Sequence, residues 1–328
     1  MKSFAFIVNP ATIKQLKDFR PALRLLPDFV IRSSLKNFFS CKSCKVSPIK
    51  KVQSIQKKEI NGFFIVCPPE KILDGGHIAK RLGAKVIGLN GYASYIVDKD
   101  QNAITRELNI PVTNGNAFTA WSVFEAIYRV TKINNIELKK SNLAISEATN
   151  PIGSLCAKKL SDYVSSITIV SDQRDRLLEL KEKILDLNHI EVIMENDVHR
   201  AVENADIVIN TNNSPEIEFE IEDLKPNAIV CDISLSDNIF KKLKLRKDIT
   251  FIRCGLVKLP YPVKLGINTG LPKGIILASL AETMLLTFEE KFVSYSLGDN
   301  INLDKLEEIA DIAARYGFEV WIPEAPVM

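Results

Sequence analysis

Leu143 to Ser154 reads LAISEATNPIGS, and the fold of this chain is decided there. An apolar run from Leu143 to Ser146 feeds a tight loop, and Gly153 opens a helical pattern that continues through Ala157 to Val164. A strand, a tight turn and a helix in that order are the context in which a helix N-terminus receives a diphosphate. In a G-x-x-G-x-x-G version of such a turn, the first two glycine positions fall on Glu147 and Asn150, and only Gly153 remains.

Outward from this loop, the second half of the chain alternates buried-strand and helix patterns. Apolar runs at 142–146, 166–171, 190–194, 206–211, 227–234 and 250–255 read as strands. Arg174 to Asn188 is amphipathic, with Leu177, Leu178, Leu180, Ile184, Leu185 and Leu187 for a core. Successive β–α units of this length predict a parallel sheet covered on both faces, the doubly wound nucleotide fold. The first half carries strand signals at 4–9, 62–67, 85–89 and 110–114, with helical stretches near 70–82 and 102–109. A helix is expected from about Phe118 to Lys132. Near the end, Asn302 reads as an N-cap and Gly317 as the stop of a helix carrying Leu303, Leu306, Ile309, Ala310 and Ala313. The expected architecture is α/β and two-lobed. Residues 1–117 form a smaller N-terminal α/β substrate domain, 118–270 the doubly wound dinucleotide-binding domain, and 271–328 C-terminal helices packing between the lobes.

Composition bounds the function. The 328 residues are 46% hydrophobic and 25% charged, and the net charge of +3 argues against nucleic acid as a partner. No apolar run approaches 20 residues, so no transmembrane segment is expected, and the N-terminal MKSFAFIVNP reads as a first strand, not a secretory signal. Charge is uneven. Arg32, Lys36, Lys42, Lys45, Lys50, Lys51, Lys57 and Lys58 occupy residues 31–58 without one Asp or Glu. That block reads as a solvated loop, or else as a docking strip for an acidic partner or a peripheral contact with an anionic membrane surface.

Six cysteines are scattered. Cys41 and Cys44 form a lone C-x-x-C without a second pair or a nearby His, so no metal site is expected, and a thioredoxin-like role is weak because no strand precedes a helix there. Cys156, Cys231 and Cys254 sit in or beside apolar runs and read as reduced core thiols, which points to a cytoplasmic protein.

Three further segments exceed generic α/β packing: LNGYAS (89–94) with PVTNGNAFTA (111–120), the turn RCGLVKLP (253–260), and LASLAETMLLTFE (277–289) leading into YSLGDNINLDKLEEIADIAARYGFE. Together with the 143–154 loop, their order and spacing resemble the bacterial fatty acyl-carrier-protein reductases that form fatty aldehydes, nearly end to end from FAFIVNP. The resemblance implies a Rossmann domain binding NADPH, an acyl-accepting domain, an acyl-carrier-protein or acyl-thioester partner, and a cysteine nucleophile. Its thiolate attacks the thioester, and hydride then reduces the acyl-enzyme to the aldehyde.

The chain departs from that pattern at the chemistry. The nucleophile position, two residues before the A-E-x-M-L-L run, is Ser279. A serine hydroxyl needs a paired base, and none of His77, His189 and His199 falls in a segment matched to that role. Ser279 reads best as a small polar residue in the space of a lost thiol. Cys254, in the family's G-G-V turn at a strand end, is the alternative nucleophile, though a buried structural thiol is the commoner meaning of such a residue. Cys67, in FIVCPP, reads as lining of the acyl domain.

The family loop G-A-T-G-x-I-G-S appears as Glu147, Ala148, Thr149, Asn150, Pro151, Ile152, Gly153 and Ser154. Glu147 adds bulk and charge, and Pro151 removes a backbone donor. Asp172 stands where the family has an NADPH-type arginine. An acid there suits a ribose 2′-hydroxyl, which favours NADH over NADPH, although capping of the following helix is the competing reading. Thr211 and Asn212, at the end of the fourth strand, are candidate lining for a nicotinamide ribose. The expectation is an acyl-carrier-protein-reductase-like protein impaired in thioester reduction, with an acyl-binding or regulatory role. The alternative is an active NAD(P)H-dependent reductase with altered chemistry. A reductase of the shikimate-dehydrogenase type shares the two-lobe layout, but the N-terminal lobe carries no matching lysine–aspartate motif.

Overall fold

The computed structural model describes residues 2–9, 44–68, 71–90, 101–212, 219–234, 241–242, 245–298 and 301–323, with side chains of 101–104 excepted. Arg32, Lys36, Cys41 and Lys42 lie outside the described residues. The chain divides into two compact units. One comprises Met1–Phe118, Val257–Asn300 and Glu308–Glu319; the other comprises Thr119–Leu256, Ile301–Glu307 and Val320–Met328.

The second unit holds the doubly wound sheet. Its strands are β6 (Asn142–Ser146), β7 (Ser166–Val170), β8 (Glu191–Glu195), β9 (Ile207–Asn210), β10 (Ile229–Asp232) and β11 (Thr250–Arg253). They lie in the order β11-β10-β9-β6-β7-β8, all parallel. Counted within the unit, that is 3-2-1-4-5-6 read from the other edge, the Rossmann order, with its reversal between β6 and β9. Ile145, Ile167, Ile207, Val208 and Ile209 are wholly buried because helices must cover both faces of a parallel sheet. The connecting helices are α4 (Pro151–Leu160), α5 (Arg174–Leu187) and α6 (Val198–Glu203).

The first unit is a five-stranded sheet of order β2-β3-β1-β4-β5, built from β1 (Ser3–Val8), β2 (Lys45–Gln53), β3 (Glu59–Val66), β4 (Ile87–Asn90) and β5 (Val112–Thr113). All neighbours are parallel except β2, which runs antiparallel along β3 at the edge. One face carries α1 (Ile72–Arg81) and α2 (Gln101–Leu108) around Ile7, Ile65, Cys67, Ile87 and Leu108. The other face receives α7 (Ala278–Phe288), which packs on β1, β3, β4 and β5 with every residue buried.

The remaining elements are α3 (Asn116–Ile133), α8 (Leu303–Tyr316) and the short strands β12 (Leu256–Lys258), β13 (Ile275–Leu277) and β14 (Glu319–Val320). Asn302 caps α8 through its side-chain oxygen, which accepts the Lys305 N–H at 3.1 Å. Gly317, at φ +79°, ends that helix. No helix among the described residues is long and apolar enough to cross a membrane.

Within the described part of the basic segment, residues 45–53 depart from the reading as a solvated loop, because they form β2. Ser47, Ile49 and Val52 turn inward, and a register shift between Ile49 and Val52 throws Lys50 and Lys51 outward together. An edge strand tolerates Pro48 and lysines, because one side of its backbone needs no partner.

Candidate functional site

In the second unit, the sequence-predicted nucleotide residues gather at the C-terminal ends of β6, β7 and β9, where a sheet of this order opens its crevice. β6 ends on the buried Ser146, whose hydroxyl donates to Asn210 Oδ1 at 3.0 Å. Asn210 Nδ2 donates to Asp232 Oδ1 at 2.7 Å, and Ser234 Oγ donates to the other Asp232 oxygen at 2.8 Å. Polar groups from three adjacent strand ends are thus locked to one another. Burial pushes the Asp232 carboxyl above its ordinary range, opposed by those hydrogen bonds and by the charge of Arg253.

The turn itself is closed on its own side chains. Glu147 sits at φ +50°, the left-handed conformation for which a first-position glycine is ordinarily used, so the backbone keeps the tight turn without the residue that makes it cheap. Asn150 is the N-cap of α4, and its Oδ1 accepts the Gly153 N–H at 2.8 Å. Its Nδ2 donates to the Thr211 carbonyl at 3.1 Å and to Thr211 Oγ1 at 2.9 Å. Thr211 Oγ1 in turn donates to the Ser146 carbonyl at 2.6 Å. Thr149 is buried and shares a hydrogen bond of 2.8 Å with Ser171. Gly153 is needed for packing, since a β-carbon there would lie 2.9 Å from both Ala148 Cα and the Glu147 carbonyl oxygen. Pro151, Ile152 and Ser154 occupy the first turn of α4 and are half-buried.

A helix N-terminus offers an anion only the N–H groups its own chain leaves unused. Here Asn150 takes the Gly153 donor and Pro151 has none, while Glu147 adds a carboxylate to the same turn. The turn therefore leaves an anion fewer free donors than a glycine-rich turn of the same shape. Asp172 follows β7 and is exposed, and it does not cap α5, because Gln173 holds the N-cap position and the Ser171 hydroxyl takes the Gln173 N–H at 3.2 Å. Asn212 is half-buried beside Asn210.

Cys254 lies past β11 with its N–H bonded to the Asp232 carbonyl at 2.8 Å. Its thiol is buried, and the neighbouring Cys231 thiol, burial and Asp232 all raise its pKa well above the ordinary thiol value. It is a neutral core thiol. Burial raises Cys156 in the same way.

In the first unit, Ser279 occupies the first turn of α7 and is buried at 7% exposure. Gly115 packs directly on it. Its φ is +73°, and a β-carbon there would overlap Ser279 Cα and Cβ. Among the described residues no base reaches the Ser279 hydroxyl. Its carbonyl accepts from Thr283 Oγ1 at 3.0 Å.

Three residues further along α7 stands Glu282, which sequence reading treated only as part of a landmark. It is wholly buried. Thr113 Oγ1 donates to one oxygen, while the Phe118 N–H (2.9 Å) and Ser296 Oγ (3.1 Å) donate to the other. Glu282 therefore caps the start of α3, and the favourable helix dipole adds to those bonds. Burial nevertheless raises its pKa, against the pull of the same donors. A Glu inside an otherwise uncharged helix was the available signal, but its partners lie as far as 169 residues away in sequence.

Ser279 and Cys67 belong to opposite faces of the first unit's sheet. Ser279 sits on α7, whereas Cys67 belongs to the cluster under α1. Cys67 therefore does not stand in for the missing thiol of α7. Of the histidines, His199 pairs with Asp223 at 2.6 Å on the surface of the second unit, and that carboxylate raises its pKa.

No protein-family model matches the chain. Over 248 residues it is 25% identical to the aminotransferase PigE of Serratia sp. (strain ATCC 39006), covering 73% of this chain and 28% of that protein. Over 263 residues it is 23% identical to the long-chain acyl-[acyl-carrier-protein] reductase of Synechococcus elongatus, covering 76% of this chain and 75% of that one. The chain thus spans little more than a quarter of the first of these relatives. Among solved structures, L-tryptophan dehydrogenase from Nostoc punctiforme superposes over 96% of this chain and 80% of its own, at 13% identity and a TM-score of 0.45. Shikimate 5-dehydrogenase from Listeria monocytogenes, solved with shikimate and NAD, covers 76% and 86% at 10% identity and a TM-score of 0.40. At those scores the strand order, not the superposition, carries the fold assignment.

Proposed function

We propose that this chain is an oxidoreductase-like protein of the acyl-carrier-protein-reductase kind that no longer reduces thioesters through a covalent thiol, and that it binds acyl groups or an acidic acyl carrier protein. The observation that carries this reading is Ser279, an alcohol sealed against Gly115 without a base, at the position where the resemblance implies a thiolate. An alkoxide is inaccessible without a base, and an ester formed there would resist hydride far more than a thioester. Cys254 offers no substitute, being buried and held protonated. The distant similarity to the Synechococcus reductase supports the oxidoreductase class.

Intact-mass measurement on the full chain with a long-chain acyl thioester tests the reading. The wild-type chain is expected to gain no acyl mass, and Ser279→Cys to gain one acyl group. Aldehyde production by the wild-type chain that Ser279→Ala abolishes overturns the proposal.

A second reading, an active reductase with altered chemistry, rests on the exposed Asp172 and on the glycine-like turn that Glu147 preserves. It favours NADH over NADPH. Ligand at 100 times its dissociation constant stabilises a fold by about 2.7 kcal/mol, so a thermal shift with each nucleotide decides it. No shift with either removes it.

A further inference from the structure

Outside the strand-end crevice, one cluster of reactive side chains is not absorbed by the function above. β2 pairs with β3 antiparallel, with Lys45 opposite Val66 and Val46 opposite Ile65. Continuing that register by one residue sets Cys44 opposite Cys67. Directly opposed residues in an antiparallel pair have Cα atoms about 4.5–5.5 Å apart, inside the roughly 4.4–6.8 Å that a disulfide spans. The two thiols are close enough for each to shift the other's pKa.

Their surroundings differ in a way that assigns roles. Cys44 is partly exposed at the edge of the sheet, and its thiol lies 4.0 Å from the Lys71 carbonyl. Cys67 is buried, with Gly75 packed against its sulfur and Asn9 Nδ2 donating to its carbonyl at 2.7 Å and standing 3.8 Å from its Sγ. The neighbouring Cys67 thiol and the Lys71 charge lower the Cys44 pKa, against burial and Asp74, whereas the Cys44 thiol and burial raise that of Cys67. A partly exposed sulfur beside a buried one is the arrangement of an attacking and a resolving thiol.

We infer that Cys44 and Cys67 form a peroxide-sensitive thiol pair that closes reversibly into a cross-strand disulfide between β2 and β3. In the first step the Cys44 thiolate attacks one oxygen of hydrogen peroxide, breaking the O–O bond and leaving a sulfenic acid and hydroxide, which takes the proton Cys44 gave up. In the second, the Cys67 sulfur attacks the sulfenic sulfur, the S–S bond forms, and the S–OH oxygen leaves as water with the Cys67 proton. Two thiols are oxidised, and one peroxide is reduced to two waters. This inference is independent of whether the chain reduces any acyl group.

Hydrogen peroxide on the full chain, followed by N-ethylmaleimide trapping and non-reducing peptide mapping, is the test. The expected result is a Cys44–Cys67 linked peptide pair, two fewer of the six thiols, and full reversal by dithiothreitol. Cys67→Ser is expected to leave Cys44 as a sulfenic acid captured by dimedone, and Cys44→Ser to leave Cys67 unmodified. On the unmutated chain, maleimide should label Cys44 at least roughly tenfold faster than Cys67, Cys156, Cys231 or Cys254. A Cys41–Cys44 bridge in place of the cross-strand one, labelling of Cys44 no faster than the buried thiols, or persistence of both thiols at peroxide levels that oxidise the urea-unfolded chain overturns it.

Discussion

Gly115 lies on Ser279 so closely that no other residue fits between β5 and the start of α7. The relationship joins two segments that sequence alone sets far apart: the T-N-G-N turn and the helix bearing the landmark Glu282. Gly115→Ala combines a backbone overlap with a left-handed φ that alanine resists. A loss of more than about 3 kcal/mol is expected, large enough to mark a named steric cause. Urea unfolding followed by tryptophan fluorescence measures it, and a loss under about 1 kcal/mol would contradict the packing.

Glu147→Gly relieves the left-handed strain, worth about 1–2 kcal/mol, less the entropy glycine brings to the unfolded chain. A net gain near 1 kcal/mol is expected. The same change removes a carboxylate from the turn. Two unit charges 4 Å apart repel by about 4 kcal/mol at an effective dielectric of 20, so NADH affinity should rise, by up to roughly 1000-fold. Calorimetric titration of both chains with NADH reads this directly; equal affinities would show that Glu147 does not oppose the diphosphate.

The buried carboxyl of Glu282 gives a pH dependence of definite sign. Its folded pKa is raised, so between the unfolded value and the raised one the native state binds more protons than the unfolded state. The stability it contributes is fully present below about pH 4.3 and lost as pH climbs through the folded pKa. Glu282→Gln removes this slope while keeping the shape. The stability of the wild type relative to the variant should therefore fall from pH 4 toward neutrality. A constant difference across that range would mean that the carboxyl stays at its ordinary value.

Lys50, Lys51 and Lys57 are exposed cations of β2 and the turn after it. Lys58 is engaged, donating to the Tyr316 hydroxyl at 3.0 Å, so it is left intact. Reversing the first three to Glu should weaken binding of an acidic acyl carrier protein and flatten its dependence on salt. Surface-plasmon titrations at two ionic strengths measure both. Unchanged affinity returns these lysines to the role of guarding a sheet edge.

Much of the second unit was legible because a parallel strand buried on both faces must be an unbroken apolar run, and β6 to β11 fall within a residue or two of their expected spans. α8 was legible from Asn302 and Gly317, whose cap and stop follow from local chemistry. β2 was not. Pro48 and a bulge at Lys50 and Lys51 break its alternation, and edge position excuses both. α7 showed no amphipathic period because it is surrounded by core on every side. The Asn150 contacts to Gly153 and Thr211 were equally hidden, since a loop that has lost glycines does not announce which side chain will fill its donors.

The first unit takes its sheet from the opening residues of the chain but receives α7 only at Ala278–Phe288. During synthesis the ribosome must deliver the whole stretch from Thr119 to Leu256 before that helix exists. At about 5–20 residues per second, the interval from Phe118 to Phe288 lasts roughly 10–30 s. For that time the apolar face bearing Phe4, Phe6 and Phe64 waits uncovered on the nascent polypeptide, and a chaperone able to shield it would be needed most just then.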